Sequence, residues 1–537
     1  MPIISFDNIG SVGIITDIPP YELPPEAWSA GSNVRFLRGQ VHKFLGHSNV
    51  FDPPSIAPYY LLPVSTAIQY FWLYAGLAKV YATDMSSHYN ITRQSGGVDV
   101  DYAMDLTRKW NGGLLGAIPV INNGVDVPQM WSPVTASQKL QELGGWSTWP
   151  YGSSTRANVI RVFREFLIAL DITENSIRNP RLLAWSHPAD PGTVPVSWNY
   201  TDPTKDTGRK EFADSNGVLL DCLPLGKTNV IYKEDAIYAM QYIGGAYVFR
   251  FDRVNFAGTS GLLSQNCAVT IGERHFVVTQ DDIIVHNLAN KESILDSRRR
   301  KALFGSSSIL AYKERCFAIT KSDKDEIWFC YPETNYTQPN RALVWNYKTG
   351  TIGDRDLTAE CPYAAVGVVQ NLSGQTIDSD SGLIDSDSSI IDERLFDPTL
   401  MSVLIARTGG SSRLLHADVT DQFSTSNMTS YVERTGLAFT KKDRNGNLKA
   451  DFNSIKYVKR IIPRIKASGS VNFYLGSQDQ KEGAVTWSGP FVFNPATDYE
   501  IFTDVVGKFI GIKVQSTTNV WWELDGYDLD VEVVGVY

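Results

Sequence analysis

The sequence predicts a mainly β protein: a β-propeller with a flanking β-sandwich or platform domain and an extended N-terminal arm. Three observations carry this. First, one small unit occurs twice, as NVIYKEDAIYAMQY at 229–242 and as HFVVTQDDIIVHN at 275–287. Each copy sets two β-branched and aromatic runs around a charged turn, at Lys233, Glu234 and Asp235 and at Gln280, Asp281 and Asp282, which is a hairpin pattern. A repeated unit too small to bury its own face predicts an array whose members stack side by side. Second, further hairpins of this kind recur along the chain, enough for five to seven blades. Third, from about residue 432 short strands alternate with Gly, Asn and Ser turns and close on an uninterrupted strand, which predicts a sandwich.

Taken in order, residues 1–50 read as the arm and a hairpin. Pro19, Pro20, Pro24 and Pro25 fix extended backbone, and 33–44 gives two strands around Arg38, Gly39 and Gln40. The propeller is expected over 51–370, with a first blade in YFWLYAGLAKVYA at 70–82. At 132–143 the pattern changes: Ser132 is placed to cap a helix with Pro133 in its first turn, stopped by Gly144 and Gly145. The run VIRVFREFLIALD at 159–171 is dense in Val, Ile and Phe and is read as β. Two more strand pairs follow, at 308–331 around Ser322, Asp323, Lys324 and Asp325, and at 342–356 around Lys348, Thr349 and Gly350. Residues 371–395 are acidic and Ser-rich and contain IDSDS twice, so they are assigned as a loop or linker. Residues 396–431 are a connecting segment, and 432–537 the C-terminal sandwich, with strands at 455–465, 471–476, 489–493, 509–514 and 521–536.

Composition narrows the function classes. The chain has 537 residues, 43% hydrophobic and 12% aromatic, enough for a large core and for about three to four domains by length alone. No apolar run approaches the roughly 20 residues of a membrane span, and MPIISFDNIG lacks the parts of a signal peptide, so export by that route is not expected. The five cysteines, Cys222, Cys267, Cys316, Cys330 and Cys361, include no pair at metal or redox spacing and are read as buried small hydrophobes in a reducing compartment. A net charge of −9 argues against a protein that grips DNA, since affinity for phosphates comes from Lys and Arg.

Motifs for chemistry are scarce. The chain has no Gly-x-Ser-x-Gly elbow, no phosphate loop, no His-Glu-x-x-His and no dinucleotide fingerprint. With seven His, none within four residues of another, no cofactor and no metal site are expected. Asp378, Asp380, Asp385 and Asp387, and separately Asp443, Asn445 and Asn447, resemble calcium ligands but lack the twelve-residue pattern. The carboxylate pairs Asp281 with Asp282 and Glu234 with Asp235 sit in turns, where a glycosidase would need two groups converging from separate elements. Residues 322–328 share a little of the sialidase Asp-box turn without its Gly and Thr, and Val285, His286 and Asn287 are followed by Leu288 where a self-splicing insert needs a nucleophile. The strongest basic run, Arg298, Arg299, Arg300 and Lys301, suits DNA phosphates or acidic loops of a neighbouring subunit, and otherwise reads as a solvated turn.

The stretches LGGWSTWPYGSSTRANVIRVFREFLIALDI, LLAWSHPADPGTVPVSW, GLLSQNCAVTIGERHFVVTQDDIIVHN and RALVWNYKTGTIGDRDL resemble the tail nozzle proteins, or tail tubular protein B, of short-tailed bacteriophages. The C-terminal RIIPRIKASGSVNFYLGSQDQ, GKFIGIKV and WWELDGYDLDVEVVG are similar to the closing β domain of such proteins. The resemblance implies a structural virion protein with no catalytic residues, assembled in the host cytoplasm as a homo-oligomer, a ring of six, beneath the phage adaptor ring. It implies that genomic DNA is retained by and ejected through the lumen, and that tail fibres or spikes attach outside. The resemblance makes the basic run and the four prolines candidates for subunit, DNA or adaptor contacts. An acidic lumen wall lets a polyanion slide, and a ring of six would carry six times the charge of one chain. The alternative is a receptor-binding or carbohydrate-processing tail protein, suggested by Trp487, Trp521 and Trp522 in the sandwich, although these are expected to be mostly core.

Overall fold

The computed structural model describes residues 3–66, 69–245, 247–256, 261–305, 307–357, 360–369, 401–409, 411–442 and 448–536. Seven four-stranded antiparallel sheets follow one another among these residues. Blade 1 is Tyr60–Ser65, Tyr70–Ala75, Val80–Thr83 and His88–Asn90; blade 2 begins at Asn111–Leu115, blade 3 at Arg156–Phe163 and blade 4 at Leu219–Leu225. Blade 5 begins at Ala268–Ile271, blade 6 at Phe317–Lys321 and blade 7 at Tyr363–Val368. The first strand of each blade packs beside the first strand of the next, and that of blade 7 returns to that of blade 1. The ring is therefore closed, a seven-bladed β-propeller, at the upper end of the expected five to seven. Both copies of the repeated unit are the second and third strands of consecutive blades, Thr228–Lys233 with Ile237–Tyr242 and Arg274–Val278 with Ile283–His286.

Closure uses the chain's beginning. The outermost strand of blade 7 is His47–Val50, paired antiparallel with Arg413–Ala417, so the first and last parts of the propeller are stitched together. Blade 7 also contains Met401–Arg407. The propeller thus reaches beyond residue 370, and much of the stretch read as a connecting segment is blade. The acidic segment at 371–395, with Asp378, Asp380, Asp385 and Asp387, lies outside the described residues, as do Asp443, Asn445 and Asn447.

Outside the blades, besides three two-stranded pairs, the described strands form two larger sheets. One runs Ile501–Gly507, Ser454–Ala467, Trp522–Val536, Gln40–Lys43 and Val34–Leu37, with Ile3–Asp7 also pairing Trp522–Val536. The other runs Ala30–Ser32, Ser430–Leu437, Phe509–Ser516, Val471–Gln478 and Thr486–Phe493. Trp28, Phe36, Val432, Phe473, Ile510, Trp522 and Leu524 fill the space between them. The sandwich expected at the C-terminus is present, and the N-terminal arm and hairpin pack into it. Apolar Phe6, Ile9, Ile14 and Trp28 are buried in that core, where leaving them exposed would forfeit about 1.5–3 kcal/mol for each large side chain.

The helix expected at 132–143 does not form. Residues 141–142 instead pair with Gln129–Met130 as the last strand of blade 2, and Leu140 donates its backbone N–H to Ile91 of blade 1. Leu140 and Leu143 are both buried, so cross-blade pairing overrides a weak local propensity. The β reading of 159–171 holds: Arg156–Phe163 and Phe166–Glu174 form a hairpin. No helix among the described residues is long and apolar enough to cross a membrane.

Candidate functional site: basic helix, domain junction and propeller axis

The basic run folds as a helix, not a turn. Asp296 caps α1, Ser297–Phe304, by accepting from the Arg299 backbone N–H at 2.6 Å, a local signal that the arginines obscure in the sequence. Asp17 also accepts at this terminus, from the Arg298 backbone N–H at 3.0 Å and the Ser297 hydroxyl at 2.8 Å. Arg299 is buried and pairs with Asp354 at 2.6 Å, and Arg300 lies 3.5 Å from Asp282. Arg298 and Lys301 are exposed, with Arg298 donating to the Thr16 carbonyl at 2.9 Å. The four residues therefore do different jobs, and the run fastens the N-terminal segment to blade 6. Arg299→Ala is expected to cost about 2 kcal/mol by leaving the half-buried Asp354 carboxylate without its partner, while Arg298→Ala with Lys301→Ala stays within ~0.5 kcal/mol in urea unfolding.

The proline segment also packs on its own chain. Arg434, buried on the Ser430–Leu437 strand, donates to the carbonyls of Pro20 at 2.6 Å and Leu23 at 2.9 Å. Pro19, Pro20 and Pro24 are half-buried, and Pro25 is exposed.

Between the two bodies lies a buried charge network that the sequence reading missed. Arg35 of the sandwich pairs with Glu326 of blade 6 at 3.0 Å and with Asp418, just after the third strand of blade 7, at 2.8 Å. Lys321 lies 3.4 Å and Arg355 3.6 Å from the same Asp418 carboxylate. Trp328 donates to Glu326 at 3.0 Å, and the Arg355 guanidinium stacks over the Trp328 ring. Every one of these side chains is at most 6% exposed. Burial would raise the Asp418 pKa, but Arg35, Lys321 and Arg355 hold it well below the usual carboxylate range. A second bridge is Lys43, whose ammonium donates to the carbonyls of Asp421, Thr518 and Val520 at 2.9–3.2 Å. Sandwich and propeller are joined by charge as well as by packing. The available signal was charged residues at inward-facing positions of otherwise apolar strands.

At the propeller axis, Arg161 of blade 3 forms a two-pronged pair with Asp221 of blade 4, at 2.6 and 2.9 Å. The same guanidinium reaches Asn266, ahead of blade 5, at 2.5 Å, and the Gly112 carbonyl of blade 2 at 3.2 Å. Lys109, ahead of blade 2, donates to the Gln265 and Cys316 carbonyls on the far blades. Tyr60 and Tyr363, from blades 1 and 7, line the same small cavity with Asn266 and Lys109. The middle of a single propeller is thus crossed by side chains, with a cleft of about 500 Å³ at the mouth bordered by Arg108, Arg156, Glu234 and Glu314.

The repeated unit brings two histidines and a tyrosine together. His275 and His286 are register partners in blade 5, and the Tyr232 hydroxyl of blade 4 lies 2.7 Å from His275 Nδ1 and 2.8 Å from His286 Nε2. His275 Nε2 faces the Pro224 carbonyl at 3.0 Å, so it carries the proton, and Nδ1 accepts from Tyr232. His286 Nδ1 accepts from the Leu288 backbone N–H at 3.3 Å, so Nε2–H donates to the tyrosine oxygen. These tautomers use every ring nitrogen and leave no lone pair for a metal on His286. Burial lowers the histidine pKa values to about 4 for His275 and about 3 for His286.

The other sequence candidates resolve into local structure. Asp235 accepts from the Gly217 backbone N–H and the Ser215 hydroxyl, Glu234 pairs with Lys313 at 3.3 Å, and Asp282 accepts from the Ser293 hydroxyl at 3.0 Å. In the sandwich, Trp522 is buried and donates to Ser430, while Trp487 and Trp521 are half-buried. All five cysteines are buried and free, and burial pushes the Cys222 thiol up to about 12. Among the described residues no group of three or more His, Cys, Asp or Glu is placed to hold a metal ion.

No family model matches the chain, and no curated protein matches it. Among solved structures the chain is similar to the WD40 domain of Toxoplasma gondii coronin, at 8% identity and a TM-score of 0.35, over 70% of this chain and 84% of that one. At that score the likeness adds nothing to the propeller established by the sheet order.

Proposed function

We propose that the chain is a structural subunit of a phage tail nozzle, a ring through which genomic DNA leaves and to which fibres or spikes attach. The observation that carries the proposal is the junction: a propeller and a sandwich locked by a buried ion network behave as one stiff block. A stiff block suits a conduit wall, because force on one part is transmitted without a hinge. The crossed propeller axis bears on where DNA runs: the lumen lies between subunits, not along the axis of any one propeller. The acidic charge of −9 favours a wall that repels phosphate. The partners in this reading are further copies of the chain, an adaptor ring above, and fibres or spikes outside.

Labelling of intact virions with an antibody against the chain tests this. The reading expects label on the tail axis, beneath the portal, at six copies per particle. Label confined to the tail periphery, or none in the virion, would sink it.

A further inference from the structure

We propose that copies of this chain join by β-strand addition, the Ile501–Gly507 strand of one copy pairing antiparallel with the Ile3–Asp7 strand of the next. The five edge strands of the sandwich sheets are treated differently. The Val34–Leu37 and Ala30–Ser32 edges both pack against the Ile352–Asp356 strand of blade 6 and are covered. The Thr486–Phe493 edge is interrupted by Gly489 and Pro490 and by a register shift, devices that discourage pairing. The Ile501–Gly507 edge has neither Pro nor Lys, pairs among the described strands only with Ser454–Ala467, and exposes Phe502 at 72% and Val506 at 49%. Among the described strands the Ile3–Asp7 edge pairs only with Trp522–Val536, and it exposes Ile3 at 45%.

These two open edges belong to one sheet, and they match. Along Ile3–Asp7, Trp522–Val536, Ser454–Ala467 and Ile501–Gly507 every pairing is antiparallel, so the two edge strands point in opposite directions. Setting one copy's Ile3–Asp7 beside the next copy's Ile501–Gly507 therefore continues the same antiparallel alternation. Ile3, Asp530, Arg460 and Phe502 form one cross-strand row, so Ile3 and Phe502 lie on the same face of the sheet, and overlap of the whole Ile3–Asp7 strand on that face sets Ile3 opposite Val506 and Asp7 opposite Phe502. Lateral addition in that register brings Val506 of one copy against the next copy's Ile3 on the solvent face, both exposed in the single chain. Such a contact is head-to-tail, which generates a closed ring or an open filament and never a two-fold dimer. The contact does not depend on the nozzle reading; only its closure at six rests on that reading.

The test combines Ile3→Cys with Val506→Cys. Within one copy these positions lie three strand spacings apart and four residues out of line, about 19 Å, too far for a disulfide, so any bond joins two copies. The expected result is a ladder of covalent oligomers on oxidation, absent from either single variant. Phe502→Lys with Val506→Lys, both on the exposed face, is expected to weaken association about tenfold or more without altering the fold. A ring that persists in the Lys variant, with no covalent ladder, overturns the strand contact and leaves the nozzle reading intact. Covalent oligomers forming only open filaments support the contact and overturn the nozzle reading.

Discussion

Replacing Asp418 with Ala is expected to destabilise the protein by about 3–5 kcal/mol, the largest effect of any single change at the junction. The carboxylate is 1% exposed and answers Arg35, Lys321 and Arg355 together. Removing it leaves three buried cations facing Glu326, with Asp323 within reach of Lys321 alone, at 2.9 Å. The penalty is that of uncompensated charge in a poorly solvated place, which exceeds the net worth of the original pairs. Asp418→Asn keeps the shape and is expected to cost nearly as much, which separates charge from packing. As a control, removing the exposed Lys459–Glu532 pair, at 2.7 Å, should cost at most ~1 kcal/mol. Urea unfolding followed by tryptophan fluorescence measures all three. Because Asp418 joins blades 6 and 7 to the sandwich, its loss is also expected to split a single transition into two.

Acidification from pH 7 to pH 5 is expected to cost on the order of 6 kcal/mol through three buried histidines. His47, His275 and His286 are at most 3% exposed, and their folded pKa values are lowered to about 3, about 4 and about 3. Burial is the main cause in each; Arg355 and Arg407 add to it at His47, and His275 adds to it at His286. A folded pKa below the unfolded value of about 6.5 means that the unfolded chain binds protons first as pH falls. Stability is therefore full above about pH 6.5 and is lost toward pH 4, at about 1.4 kcal/mol per unit for each histidine, or about 2 kcal/mol each at pH 5. The geometry explains why protonation is resisted. The ring nitrogens of His275 and His286 are committed in the neutral tautomers, and no carboxylate bonds either ring. His286→Gln should flatten the pH dependence by about a third, and an unfolding midpoint constant between pH 7 and 5 would refute the account.

Much of the fold was legible because hairpin pairing is local. Alternating apolar runs around Lys233, Glu234 and Asp235 and around Gln280, Asp281 and Asp282 fix strands and turns within some fourteen residues. What was not legible depends on distant pairing. Ile3 pairs with Asp530 and His47 with Ala417, and nothing near Ile3 or His47 announces those partners. The N-terminal prolines were read as extended chain, but Pro20–Glu22 forms a turn of 3-10 helix and the Ala27 N–H closes a second turn on the Pro24 carbonyl, because fixing proline φ leaves ψ free for a turn. The expected helix at 132–143 failed for the converse reason, a local signal overruled by the strand next to Gln129–Met130.

The candidate site was less legible still. The two hairpins were seen as equivalent, yet Asn229 and Met240 occupy in blade 4 the paired positions that His275 and His286 occupy in blade 5. That difference, together with Tyr232 on the neighbouring blade, creates the hydrogen-bonded cluster, and it emerges only when blades stack. Likewise Arg35 lies 291 residues from Glu326 and 383 from Asp418 in sequence, and the three meet only because the propeller closes on itself beside the sandwich.

We propose that this chain is a stiff building block of a ring whose lumen lies between subunits. Single-particle imaging of the purified protein across a range of concentrations tests it most directly. The account predicts a six-fold ring with an open axial channel, the sandwich sheets continuous from one subunit to the next. Monomers at every concentration, or a closed assembly without a central opening, would contradict it.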